Sequence, residues 1–374
     1  MSKKTYAFGM TADNHFKKLT WASRPEISGD TYHGFEQVVD LMLKENLPLV
    51  IGGDFFDTPK PDSYSVDFAI KQIERLRKAG LATYWIDGNH DASTPSWCGI
   101  IGATSLHKQL TQIGGLQVYG VNYTPMHLLE EELKHVPADC DVLVMHQLLD
   151  LAMPMEGMWN FTHKHVPSHV KLVMLGDYHV TCNYKHNNTE YHYPGSTAML
   201  SRSENPTKYC KLVGSTAGSS NIFVEPREIA TRRYLAVNIE LTSQLEDLEI
   251  SCEQLEHNEE VTSQRMLDLF SGTTDKKPIL DVIYNPDLEN VLPRLTKAVK
   301  PLSVTLWTTP STFKRTEESI AVPVTTKGAF KPEVVLAEIV DKDADAEALQ
   351  LAQELLVDEE YTHVLDKWRT IMKV

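Results

Sequence analysis

Hydrophobic residues in the first 200 positions gather into short, nearly continuous runs separated by longer amphipathic stretches. Tyr6–Thr11, Pro48–Gly52, Thr83–Ile86, Leu116–Val121, Val142–Met145 and Lys171–Leu175 have strand length and show little alternation, the pattern of strands buried on both faces. Gly34–Lys44 and Ser65–Lys78 instead repeat their apolar residues at helical spacing. Together they predict an α/β fold. The small polar run from Gly214 to Asn221 predicts a flexible loop.

From about Tyr234 the pattern changes. Tyr234–Leu241 reads as a strand, followed by the very acidic stretch Glu246–Glu260. Ile279–Tyr284, Leu288–Val299 and Ser303–Trp307 then predict strand, helix and strand, consistent with a small separate α/β unit. Lys331–Val374 reads as mostly helical. Its end carries an apolar stripe, Tyr361, Val364, Leu365, Trp368, Ile371 and Met372, at i, i+3, i+4, i+7 spacing. The expected boundaries are 1–233, 234–330 and 331–374, and 374 residues are enough for two or three domains.

Composition narrows the class. With 42% hydrophobic and 23% charged residues, the chain matches ordinary globular proteins. No apolar run approaches the roughly 20 residues that span a bilayer, and the N-terminus reads as a first strand, not a signal peptide. Five scattered cysteines, none in a CxxC pair, predict a reduced cytoplasmic setting, as in a bacterial or phage-infected cell, without a thiolate metal site. The net charge of -15 argues against a protein that coats nucleic acid. That charge is uneven: residues 236–374 carry -12 and residues 1–235 only -3, which leaves room for a local basic groove in the first part.

Five short motifs carry the candidate chemistry, and all but one clearly follow a predicted strand. They are Asp13-Asn14-His15, Gly53-Asp54-Phe55-Phe56-Asp57, Gly88-Asn89-His90-Asp91, Met145-His146-Gln147 and Gly176-Asp177-Tyr178-His179. Loops at the carboxyl ends of strands converge in open α/β sheets, so these side chains can meet. Carboxylate, imidazole and amide oxygen suit hard or borderline divalent ions, manganese or iron more than a thiolate-loving ion. A shared carboxylate can bridge two ions about 3.5–4 Å apart, a pair suited to binding a phosphate and activating water. Each motif alone also fits turn residues and helix caps. The ordered set does not.

The set resembles the calcineurin-like metallophosphoesterase superfamily, with its Asp-x-His, Gly-Asp, Gly-Asn-His, His and Gly-His-x-His pattern. Gly53-Asp54-Phe55-Phe56-Asp57-Thr58 and Gly88-Asn89-His90-Asp91 are similar to SbcD and its eukaryotic counterpart, the Mre-eleven nuclease. Tyr193-Pro194-Gly195-Ser196-Thr197 and Ser201-Arg202-Ser203-Glu204 resemble the Pro-Gly-Ser segment near the end of that nuclease domain. The match covers roughly residues 5–205.

The resemblance implies a sandwich of two mixed β-sheets flanked by helices, a small α/β capping domain that positions DNA, and a C-terminal helical region. It implies a DNA nuclease with two divalent metal ions, most naturally Mn2+, with Mg2+ or Fe2+ as alternatives. Asp13, His15, Asp54 and His179 would hold the first ion. Asp54, Asn89, His146 and Asp177 would hold the second. His90 would contact the phosphate, and Asp91 would orient His90. DNA, a second copy of the chain and an SbcC-type coiled-coil ATPase would be the partners, with the stripe Tyr361–Met372 docking on the ATPase or packing on this chain's own cap. Asp177 departs from the family, which usually has histidine there. Either the site accepts a harder ligand, or the second metal is lost. A phosphodiesterase for small or cyclic-nucleotide substrates and a non-catalytic module with a decayed site are the rivals.

Outside the motifs, His163, His165, His169, His186 and His192 read as surface loop residues. Trp21 and Tyr32 could stack on bases or pack locally.

Overall fold

The computed structural model describes residues 4–18, 24–153, 155, 157–202, 204–216, 221–257, 259–261, 263–270 and 276–311. Trp21 and the stripe Tyr361–Met372 lie outside these residues.

The first sheet contains β1 (Lys4–Thr11), β2 (Leu49–Gly52), β3 (Thr83–Ile86) and β4 (Thr104–Ser105). The second contains β5 (Leu110–Ile113), β6 (Leu116–Val121), β7 (Val142–His146), β8 (Leu172–Gly176), β9 (Cys182–His186) and β10 (Thr189–Tyr193). Then β11 (Lys208–Thr216) and β12 (Ile222–Ile229) return to complete the first sheet, in the order β12-β11-β1-β2-β3-β4. The second sheet runs β5-β6-β7-β8-β10-β9. Both are mixed. β1, β2 and β3 are mutually parallel, as are β6, β7 and β8, and the antiparallel pairings include β1 with β11 and β5 with β6.

The sheets pack face to face. Phe8, Met10, Val50 and Ile86 of the first meet Val118, Val142, Val144 and Met174 of the second in one buried cluster. Helices Asp30–Glu45 and Ser63–Lys78 cover the outer face of the first sheet through Phe35, Val38, Val39, Ile73 and Leu76. Helix Met126–Leu133 covers the second through Leu129 and Leu133. The central strands are therefore buried on both sides, which is why they read as continuous apolar runs. The fold is the expected α/β sandwich of two mixed sheets flanked by helices.

The first three residues of the run Gly214–Asn221 depart from the loop expectation, and residues 217–220 lie outside the described residues. Gly214, Ser215 and Thr216 continue β11 and pair with β1, and Gly214 and Ser215 pair with β12 as well. Small polar composition marks a turn only when no neighbour claims the backbone. Here Gly214 lets the backbone of Thr5 and the ring of Phe223 approach within a distance that a Cβ would block.

A third, fully parallel sheet follows, with β13 (Tyr234–Ile239), β14 (Ile279–Tyr284) and β15 (Thr305–Pro310) in that order. Helices Thr242–His257, Gln264–Phe270 and Leu292–Val299 supply its crossovers and close its own apolar cluster. The acidic stretch as far as His257 lies in the first of these helices, with Leu245, Leu248 and Cys252 inward. The sheet docks on the sandwich through polar clamps. Arg232 grips Asp30, Arg202 reaches Asp281 at 3.1 Å, and the Trp307 indole donates to Glu26. Among the described residues no helix is long and apolar enough to cross a membrane.

Candidate metal centre

The carboxyl ends of β1, β2, β3, β7 and β8 open on the same rim of the sandwich, and each expected motif follows one of them or closes it. The loops after β1 and β2 are zipped together. Asp13 N–H donates to Gly53 O at 3.1 Å, His15 N–H to Asp54 O at 3.0 Å, and Phe16 N–H to Phe55 O at 3.1 Å. Asp13, His15, Asp54 and Asp177 all have positive φ, between 44° and 86°. Side chains rarely adopt this region, and such strain gathers at sites where the surrounding structure over-determines the chain. Gly53 and Gly88 allow the loops to close. A Cβ on Gly53 would fall 2.4 Å from His146 Nδ1, and one on Gly88 would fall 2.1 Å from Asp54 Oδ1.

Four imidazoles face the site, and each is anchored through Nδ1 to an oxygen. His15 donates to the Asp57 carboxylate at 2.9 Å, and His146 donates to the Gly52 carbonyl at 2.7 Å. His179 donates to Glu204 at 3.3 Å, and His90 donates to the Asp57 carbonyl at 3.1 Å. This fixes the tautomer and turns each Nε2 away from its anchor. His146 Nε2 then faces oxygen atoms from four residues. Asn89 Oδ1 lies at 3.1 Å, Asp54 Oδ2 at 3.4 Å, Asp13 Oδ1 at 3.9 Å and Asp177 Oδ1 at 4.0 Å. His15 Nε2, fully buried, has no hydrogen-bond partner and lies 3.4 Å from Asp54 Oδ2. Asp13 Oδ2 is also buried without a partner.

A lone pair among carboxylate oxygens is repulsive unless a positive charge sits between them. Without an ion, that charge is a proton. Burial alone lowers the His146 pKa, but the charges of Asp54, Asp13 and Asp177 outweigh it and raise it to about 10. Burial likewise raises Asp54, and His146 and His15 outweigh it, holding the carboxyl well below its usual range. Burial lowers His15, so it stays a neutral donor. Orphaned buried ligand atoms and an oxygen cage around imidazole nitrogens fit divalent cations. Among the described residues three groups have ligand atoms close enough to share an ion: Asp13 with His15 and His179, Asp13 with Asp54 and His146, and His15 with Asp54 and His90.

All seven expected ligand residues and His90 therefore meet on this rim. Asp177 takes part despite its departure from the pattern. Its backbone N–H donates to Asp13 Oδ1 at 3.1 Å, and Asn160 donates to its carboxylate at 3.4 Å.

The expectation that Asp91 orients His90 is corrected. The fully buried Asp91 carboxylate accepts the backbone N–H groups of Gly88 and Phe55, each at 2.7 Å, and of Phe56 at 3.4 Å. Burial and the charge of Asp54 push its carboxyl up to about 7, against the pull of those amides. Asp91 thus ties the β3 loop to the β2 loop, and Asp57 positions His90.

Two anchoring carboxylates were not assigned from the sequence. Asp57 holds His15 and accepts from Lys18 at 2.9 Å. Glu204 holds His179 and also accepts from Lys208 at 2.7 Å and Ser196 at 2.9 Å, which places the Pro-Gly-Ser segment behind the site. Burial raises Glu204, but His179 and Lys208 outweigh it and bring it to about 2. The spacing of Glu204 and Lys208, four residues apart, was the available signal.

The remaining histidines stand apart. His163 pairs with Asp150 at 2.9 Å and His169 with the Pro137 carbonyl at 2.8 Å. His192 is 8% exposed, which corrects its reading as a surface residue. Tyr32 is buried, stacked on Phe16 and bonded to Ser65, so packing accounts for it.

The profile of the calcineurin-like phosphoesterase family matches residues 7–206. The DNA double-strand break repair protein Mre11 of Sulfurisphaera tokodaii is 28% identical over 40% of this chain and 43% of its own length. That of Sulfolobus acidocaldarius is 26% identical over 71% and 70%, and that of Methanosarcina mazei 25% over 67% and 43%. The chain thus spans less than half the length of two of these curated relatives. Because the family profile covers more than half of the chain and the metal-holding geometry falls within it, the protein belongs to the calcineurin-like phosphoesterases, metal-dependent hydrolases of phosphate esters.

Proposed function

We propose that the protein is a two-metal nuclease that hydrolyses phosphodiester bonds in DNA, in repair, recombination or replication. The observation that carries the metal part is the cage around His146 Nε2 together with the orphaned His15 Nε2 and Asp13 Oδ2. The assignment to DNA rests on similarity to the Mre11 proteins.

Asp13, His15, Asp54 and His179 would hold one ion, and Asp54, Asn89, His146 and Asp177 the other. Two divalent ions, Mn2+ or else Mg2+ or Fe2+, would neutralise the phosphate and lower the pKa of the attacking water. The chain does the rest. Asp57 and Glu204 accept from Nδ1 of the ligating imidazoles and so keep Nε2 of each aimed at the ions. His90, half-buried at the mouth and anchored through Nδ1, presents Nε2 to a bound phosphate and, as the imidazolium with both ring nitrogens protonated, can give its Nε2 proton to the leaving oxygen. Asp54 also accepts the His90 backbone N–H at 2.8 Å, which couples the bridging carboxylate to the catalytic loop.

The domain at 234–330 would help position the strand. A homodimer and an SbcC-type ATPase docked on the 331–374 region complete the reading.

The test compares Asp54→Asn with wild type on duplex DNA, single-stranded DNA, bis-para-nitrophenyl phosphate and cyclic nucleotides in manganese. Wild type should cut DNA, and Asp54→Asn should lose hydrolysis and bound metal while keeping its fold. Cleavage of cyclic nucleotides without DNA would establish the small-substrate rival.

A further inference from the structure

Beside the metal centre the sandwich opens into a cleft of about 350 Å³. His179 lines it, as do Cys182 and Asn183 of β9, and Lys208 and Lys211 of β11. The two lysines are nearly equally buried, 2% and 4% exposed, and differ in one respect. Lys208 is neutralised by Glu204 at 2.7 Å and bonded to Ser196 at 2.9 Å. Lys211 has no hydrogen bond or ion pair among the described residues.

The register explains where Lys211 points. It pairs with Met10 across β1, and Met10 lies in the core between the sheets, so the Lys211 side chain faces inward on the same side. Its charge is felt by Cys182 of β9 and by His192 of β10, both in the second sheet. Burial lowers the Lys211 pKa, so its ammonium gains from an anion more than a surface lysine would. Leaving an ammonium buried without a counter-charge is strongly unfavourable. A strand position with apolar residues on either side would normally be filled by an apolar side chain.

We propose that this cleft is a second phosphate subsite, in which Lys211 receives the phosphate that flanks the scissile one along a nucleic-acid strand. The proposal rests on the nuclease reading and names how that site would favour a polynucleotide over an isolated diester. His179 belongs to both the metal centre and the cleft wall, so groups bound at the two places are adjacent. The cleft exceeds what one phosphate needs and leaves space for the attached sugar. A lysine in it reads charge, not sequence, as backbone contacts do.

The test uses short strands in manganese: TpT, with one diester, and pTpT and TpTp, which add a phosphate on either side. Wild type should favour one of the two extended strands over TpT by about tenfold in kcat/KM, the scale of one charge-assisted contact. Lys211→Met should bring that ratio to about one, and Lys211→Arg should restore it. A wild-type ratio near one, or a ratio that Lys211→Met leaves unchanged, overturns the subsite and leaves the nuclease reading intact. Hydrolysis of bis-para-nitrophenyl phosphate but of none of the three strands overturns both. Phosphorus NMR of inorganic phosphate separates the other source. Binding of free phosphate that depends on Lys211, with no preference among the strands, reassigns the cleft to free phosphate and overturns the strand assignment. Should Lys211→Met fail to fold, the wild-type ratio and Lys211→Arg decide.

Discussion

The Asp57 carboxylate lies 2.9 Å from Nδ1 of His15, while the backbone carbonyl of the same residue lies 3.1 Å from Nδ1 of His90. One residue thus aims a metal-side imidazole with its side chain and the candidate proton donor with its backbone. Asp57→Ala removes only the first. It should weaken manganese binding by about 10–100-fold, the usual effect of losing a carboxylate behind a ligating histidine. Activity at saturating manganese should largely recover, because His90 keeps its anchor. Unchanged metal affinity in a manganese titration read by elemental analysis would make Asp57 a purely structural residue.

His90 should separate catalysis from metal binding. His90→Ala is expected to keep its bound metal and to lose about 10²–10⁴-fold in turnover, the range for a general acid or base. Loss of an ion in this variant would make His90 a ligand, as its closeness to His15 and Asp54 permits.

Asp177 tests the departure from the family pattern. A carboxylate there adds a hard oxygen ligand and one negative charge. Wild type should bind two manganese ions, and Asp177→His should keep activity while shifting preference toward softer ions. If wild type binds one ion at saturating manganese and Asp177→His binds two, Asp177 marks a damaged site.

His192 sets a pH dependence of stability. Burial, then Lys211, lowers its pKa to about 4 in the folded protein, below the ordinary value of 6.5. The unfolded chain therefore takes up a proton that the folded chain refuses. Stability should fall as the pH drops from 6.5 toward 4 and should be insensitive to this group above that window. At 1.4 kcal/mol per pH unit the loss is on the order of 2–3 kcal/mol. Urea unfolding at pH 7 and pH 4.5 should show a smaller decline for His192→Leu than for wild type. Equal declines would remove His192 as the cause.

The local code was enough for the strands of the sandwich core and for the motif residues that meet on one rim. Thr83–Ile86 and Leu116–Val121 are strands at the bounds their apolar runs predict, because burial on both faces leaves a continuous pattern that needs no partner to interpret. The motifs were legible because each closes a strand at the same rim. What tertiary structure decided were contacts between segments far apart in the chain. Gly214–Thr216 is strand because β1 and β12 claim its backbone. Asp91 turned to the amides of the neighbouring loop instead of to His90, since buried amides need an acceptor and His90 had found the Asp57 carbonyl. Glu204 became the anchor of His179, and Lys211 became a buried charge without a partner among the described residues, through contacts with strands and loops far away in the chain. A side chain's partner is set by which loops close on it, and that is a property of the assembled sandwich.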